Sequence, residues 1–137
     1  MIPELQVKDY TVVRNFIDQE RAIKLGYEFM RFCEEHDAAG DSQSVNSNSV
    51  HNYLPFLELL CEKTPEVSKI VGETVLPTYV YSRVYKNGSD LKRHIDKDEC
   101  EISLTLNLCA DRPWKIWIET PRGEKRSVML APGDARV

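Results

Sequence analysis

Hydrophobic positions recur first at helical spacing and later at a spacing of two, so the chain predicts helices early and strands late. Tyr10 to Ile17 is β-branched and aromatic, the composition of a strand. Asp18 offers a cap, and from Gln19 to about His36 the residues Ala22, Leu25, Phe29 and Phe32, widened by Ile23, Met30 and Cys33, form one stripe of an amphipathic helix. The stripe is read as core packing. Residues 37–52 are so rich in Gly, Ser, Asn and Asp that a long loop is expected, with no regular element and with His51 solvated or capping.

Pro55 to Lys63 predicts a short helix started by its proline. Thr64-Pro65-Glu66 predicts a second, capped by Thr64 and ending near Gly72. Past Pro77 the pattern changes to strands at 78–86, 91–96, 100–109, 114–119 and 125–131, separated by turn signals. In the first, Tyr79, Tyr81, Arg83 and Tyr85 share a face. Asn87-Gly88 then turns the chain, and beyond it His94 and Asp96, two apart, would project side by side. Over 101–108 the alternation is unbroken: Ile102, Leu104, Leu106 and Leu108 on one face, Glu101, Ser103, Thr105 and Asn107 on the other. The polar face either lines a wet chamber or lies in bulk water.

Composition narrows the class. With 137 residues, 42% hydrophobic, 29% charged and a formal charge of −4, the chain is expected to be one soluble domain. Scattered basic residues and an acidic balance argue against nucleic acid. No apolar run reaches the ~20 residues that span a bilayer. Cys33, Cys61, Cys100 and Cys109 show no Cys-x-x-Cys spacing and no secretory leader is evident, so free buried thiols in a reducing cytoplasm are expected, with a Cys100–Cys109 bridge across a hairpin as the alternative.

His94-x-Asp96, preceded by the Arg83-x-Tyr85 strand and the Asn87-Gly88 turn, resembles the His-x-Asp motif of Fe(II)- and 2-oxoglutarate-dependent dioxygenases, in the prolyl-4-hydroxylase-like branch. The helical first part, the run from Leu76 to Tyr85, the strand containing Asn107 and the Leu-Ala-Pro-Gly-Asp turn at 130–134 extend the likeness over nearly the whole chain. The resemblance implies an α+β fold: an N-terminal strand and helices packed on a double-stranded β-helix, or jelly roll, that lacks its last strands. Residues 1–76 would be mainly helical support and 77–137 the β core of a single incomplete domain. It implies His94 and Asp96 as ligands of Fe(II), and Tyr85, Asn107, Arg83, Thr105 and Ser103 as candidates for binding 2-oxoglutarate, with ascorbate as an accessory reductant. Pairing of Arg83 with Glu101 across the sheet is a competing expectation.

The chemistry needs two histidines and a carboxylate on one face of the metal. The family's second histidine, after the Pro-Gly-Asp turn, and the basic residue following it have no counterpart, since no histidine follows His94. Three readings follow: a truncated oxygenase, inactive as this chain; a non-catalytic jelly-roll interaction domain without metal; or a sheet and site completed by another copy through an unpaired edge. The substrate, a small molecule or a peptide, is unreadable because loops select it.

Overall fold

The computed structural model describes residues 4, 9–89, 91, 94, 96 and 100–137. The chain is mixed α+β, with two helices and three small antiparallel sheets and no closed barrel among the described residues. The helices are α1 (Gln19–Glu35) and α2 (Leu54–Val71). The strands are β1 (Val12–Val13), β2 (Ser47–His51), β3 (Tyr81–Tyr85), β4 (Thr105–Leu106), β5 (Lys115–Glu119), β6 (Lys125–Met129) and β7 (Ala135–Arg136). Among the described residues no helix is long and apolar enough to cross a membrane.

Asp18 caps α1, its Oδ2 accepting the Arg21 N–H at 3.3 Å. Ala22, Phe29 and Cys33 of the predicted stripe are buried. The two helices expected either side of Thr64-Pro65 are instead one. The Thr64 hydroxyl, expected to cap a new helix, donates to the Leu60 carbonyl one turn back at 2.6 Å. Phe56, Leu59 and Val71 are buried on both sides of Pro65, and that burial offsets the roughly 3 kcal/mol that proline costs inside a helix.

The chain forms two compact units, one of Met1–Glu28, Ile70–Gly72 and Ile102–Val137, the other of Phe29–Lys69 and Glu73–Glu101. In the first, β7 is the middle of a three-stranded sheet ordered β1-β7-β4. Arg136 faces both Val12 and Thr105. The strand predicted over 10–17 is cut to two residues because Asn15 takes a left-handed conformation, φ 51°. The strand predicted over 100–109 is likewise cut to Thr105–Leu106. Beyond it the Asn107 N–H donates to the Asp134 carbonyl at 3.1 Å, and the Asn107 carbonyl accepts from Gly133 N–H at 2.8 Å. Gly133 can make that turn because its φ of 92° excludes most side chains. The predicted pair at 114–119 and 125–131 forms the β5–β6 hairpin, closed by Thr120 N–H donating to the Glu124 carbonyl at 2.9 Å.

In the second unit β2 pairs with β3, from Ser47 opposite Tyr85 to His51 opposite Tyr81. The loop expected over 37–52 therefore contains a strand. Its Ser and Asn residues are poor strand formers in isolation, but the tyrosine-rich β3 supplies a pairing partner that overrides propensity. Phe29, Phe32, Tyr53 and Phe56 gather alongside as a cluster with ring centroids 4.8–5.1 Å apart. Of the strand predicted over 91–96, residues 92, 93 and 95 lie outside the described residues, and Leu91, His94 and Asp96 have no regular structure.

Asp134 is buried in the first unit. Its Oδ1 accepts the Asn15 N–H at 3.0 Å and its Oδ2 accepts from Ala131 N–H at 3.1 Å and Arg14 Nη1 at 2.7 Å. Burial pushes its carboxyl up, but those three donors and the charge of Arg14 outweigh it and hold the group below the ordinary carboxylate value. Arg14 is mostly exposed, so the backbone donors matter more than the ion pair. A carboxyl lower in the folded than in the unfolded state stabilises above the unfolded value, and that contribution fades as pH falls below about 4. Asp134→Ala is expected to lower stability by about 2 kcal/mol in urea at neutral pH, and to flatten its decline between about pH 5 and pH 2.

Candidate functional site

The His94 and Asp96 side chains approach one another, Nε2 to Oδ1 at 3.5 Å, with 27% and 48% of each exposed. An imidazole nitrogen and a carboxylate oxygen so placed can share one cation, with open faces left for other ligands. They make two donors. Among the described residues no group of three His, Cys, Asp or Glu is arranged to hold a metal. The pair would supply two of the three ligands of a facial triad. His51, in the same unit, is exposed and lies against tyrosines instead, its ring 5.3 Å from Tyr79 and 6.3 Å from Tyr81.

On β3 the alternation does place Tyr81 and Arg83 together, and a residue that the sequence did not single out joins them. Asp41 Oδ2 accepts from the Tyr81 hydroxyl at 2.5 Å and from Arg83 Nη2 at 2.8 Å. Arg83 also donates to Gln43 Oε1 at 2.6 Å, and its guanidinium lies 4.6 Å from the centre of the Tyr81 ring. The carboxylate that Arg83 meets is therefore Asp41, not the Glu101 of the competing expectation. Asp41 Oδ1 accepts the N–H groups of Gln43 and Ser44 at 3.1 and 2.9 Å, an Asx turn that orders the polar segment.

Burial raises the Asp41 carboxyl, yet the Tyr81 hydroxyl, the Arg83 guanidinium and the Ser44 N–H together carry it far below the ordinary range. Burial and the bond to Asp41 push the Tyr81 phenol up. Burial lowers Arg83, but Asp41 and Tyr85 more than restore it, so the guanidinium stays charged. The network is an anchored anion with a fixed cation. Tyr85 lies at the end of β3 opposite Ser47.

Asn107, Thr105 and Ser103 belong to the other unit. Asn107 Nδ2 donates to the Leu130 carbonyl at 2.7 Å, so its amide fastens the turn before β7. Thr105 Oγ1 accepts from Arg136 Nη2 at 3.0 Å. Arg136 is a cation beside the polar face that the sequence did not mark, and its register opposite Thr105 becomes evident only once β7 is paired.

The second unit also has a cleft of about 620 Å³ between the end of α1 and the β2–β3 pair, lined by Met30, Cys33, Glu34, Asp37, Asn48 and Lys86 among others. Burial and the nearby Glu34 push the Cys33 thiol up while Lys86 opposes them. Buried and shifted upward, the Cys33 thiol is a poorer nucleophile than an exposed one.

No protein-family model, curated protein or solved structure matches the chain.

Two outcomes follow from these contacts. Asp41→Ala leaves Arg83 with its charge and without its carboxylate, so the second unit should lose about 3 kcal/mol, and hydrogen exchange at the Gln43 and Ser44 amides should quicken. In a timed reaction with a thiol-directed disulfide reagent, mass spectrometry should find Cys33 modified at least about tenfold more slowly than the exposed Cys61.

Proposed function

We propose that this chain is the His-x-Asp-bearing part of an Fe(II)- and 2-oxoglutarate-dependent oxygenase, a hydroxylase in the prolyl-4-hydroxylase-like branch, working in the cytoplasm on a small molecule or a peptide. The reading includes a jelly-roll scaffold and ascorbate as accessory reductant. The observation that carries it is the approach of His94 Nε2 to Asp96 Oδ1, a mixed nitrogen and oxygen pair from positions two apart.

In this reading His94 and Asp96 hold the iron, and a further ligand comes from outside this sequence. Bound iron would supply the redox chemistry in which dioxygen, the oxidant, gives one oxygen atom to 2-oxoglutarate as it loses carbon dioxide to become succinate and the other to the hydroxylated substrate. The chain's own task is to present a neutral imidazole and an ionised carboxylate together. Tyr85 supports the co-substrate by donating its phenolic proton to a carboxylate. Arg83, already bound to Asp41 and Gln43, serves by stiffening β3 rather than by reaching a ligand.

That same engagement of Arg83 favours a second reading, a non-catalytic interaction domain in which His94 and Asp96 make only a local contact. Anaerobic Fe(II) titration separates the two. The oxygenase reading expects weak binding by this chain, with a dissociation constant above roughly 10 µM, weakened at least about tenfold further by His94→Ala or Asp96→Ala. It also expects iron-dependent succinate formation from 2-oxoglutarate by the longest form of the chain that its gene encodes. Binding indifferent to both substitutions, or no succinate from that form, would sink it in favour of the interaction domain.

A further inference from the structure

The β5–β6 hairpin is a two-stranded sheet, and among the described residues no strand lies on the other side of β5. Its outward face carries Lys115, Trp117 and Glu119, all exposed, while Ile116 and Ile118 turn to the half-buried side. Trp117 is 68% exposed and Met129, opposite Lys115, is 46% exposed. The indole thus stands in water on an edge that has no strand neighbour among the described residues.

The hydrogen-bonding parity of the edge can be read from the turn. Thr120 N–H donates to the Glu124 carbonyl, and Thr120 and Glu124 continue the register in which Glu119 faces Lys125. Hydrogen-bonded pairs alternate along an antiparallel ladder, so Ile118 with Arg126 and Ile116 with Val128 are the bonded pairs. The N–H and C=O groups of Lys115, Trp117 and Glu119 therefore point away from β6, towards the open side.

The same three residues are charge-symmetric about Trp117. If a second β5 lies antiparallel with Trp117 opposite its own copy, Lys115 faces Glu119 of the second copy and Glu119 faces its Lys115. Each of those pairs is of the bonded kind, exchanging both N–H···O bonds, and Ile116 meets Ile118 on the other face. A lysine on an edge strand ordinarily deters pairing; here every lysine meets a glutamate only when the partner is this same strand, reversed. A two-fold axis is the symmetry that such a self-complementary patch generates.

We propose that the open edge of β5 is a homodimer interface, in which two copies of this chain join β5 to β5 about Trp117 and make a continuous four-stranded β6-β5-β5-β6 sheet. The inference stands apart from the oxygenase reading, since it uses neither His94 nor Asp96. The occupant is a second copy because the charges, the backbone parity and the indole all match under one rotation. The complementary charges orient the strands and the paired indoles leave water.

Sedimentation equilibrium over a concentration series tests this, with circular dichroism confirming that each variant is folded. Wild type should be in monomer–dimer equilibrium. Lys115→Glu should set two pairs of glutamates opposite one another, and Glu119→Lys two pairs of lysines, each raising the dimer dissociation constant at least about tenfold. The double variant with both charges exchanged should regain most of the lost affinity, and Trp117→Thr should weaken the dimer with no change of charge. A wild-type chain monomeric up to about 0.5 mM would overturn the proposal, that concentration lying well above the affinity expected of a specific interface. So would a dimer insensitive to the single reversals, or single losses that the exchanged double variant does not recover.

Discussion

Asp134 is a buried carboxylate that takes one N–H from Asn15, another from Ala131 and the guanidinium of Arg14. The sheet it serves consists of strands of two residues each, too short for a ladder alone to set their register. The side chain joins the end of β1 to the turn before β7, and the Asn107 backbone joins that turn to β4. The left-handed Asn15 and the positive φ of Gly133 are the conformations that allow these groups to converge. In this unit a polar staple does what longer strands would otherwise do, and Phe16, Ile17, Leu130 and Ala135 are buried around it.

Asp41 plays the corresponding part in the other unit. One oxygen organises its own segment through Gln43 and Ser44, and the other holds Tyr81 and Arg83 of β3. Together with β2 this converts a stretch of weak intrinsic preference into an ordered edge of the β2–β3 pair. Further bonds act in the same sense: Ser49 donates through its N–H to the Ala39 carbonyl at 2.9 Å, and Ser47 Oγ donates to the Ser44 carbonyl at 2.8 Å.

Much of this architecture was legible in the residues. The stripe from Ala22 to Cys33 predicts α1 to within a residue, because burial of one face and the Asp18 cap act in the same direction. The β5–β6 hairpin was legible for the same reason of local agreement. The misreadings fall where a distant partner decides: β2 forms because β3 needs a neighbour, α2 runs through Pro65 because its buried face continues, and β1 and β4 stop where backbone groups are claimed by the turn at 130–134. On β3 the alternation made Tyr81 and Arg83 legible as sharing a face, whereas His94 and Asp96 meet from irregular backbone and not from the strand on which their spacing was read. Asp41 was not legible, since forty-odd residues separate it from its partners, and nothing about an aspartate in a serine-rich run announces a salt bridge.

The central position of β7 also has a kinetic side. Its pairing of Ala135 and Arg136 with Val13 and Val12 joins residues more than 120 positions apart, whereas β2 and β3 meet across 30 to 38 positions. Closing the longer loop costs more chain entropy, and no part of the β1-β7-β4 sheet can form before residue 136 has been synthesised. The β2–β3 unit is thus free to form while the ribosome is still at work. During that interval Val12 and Val13 have no sheet to join, which leaves this short apolar stretch open to chaperones and to misassembly.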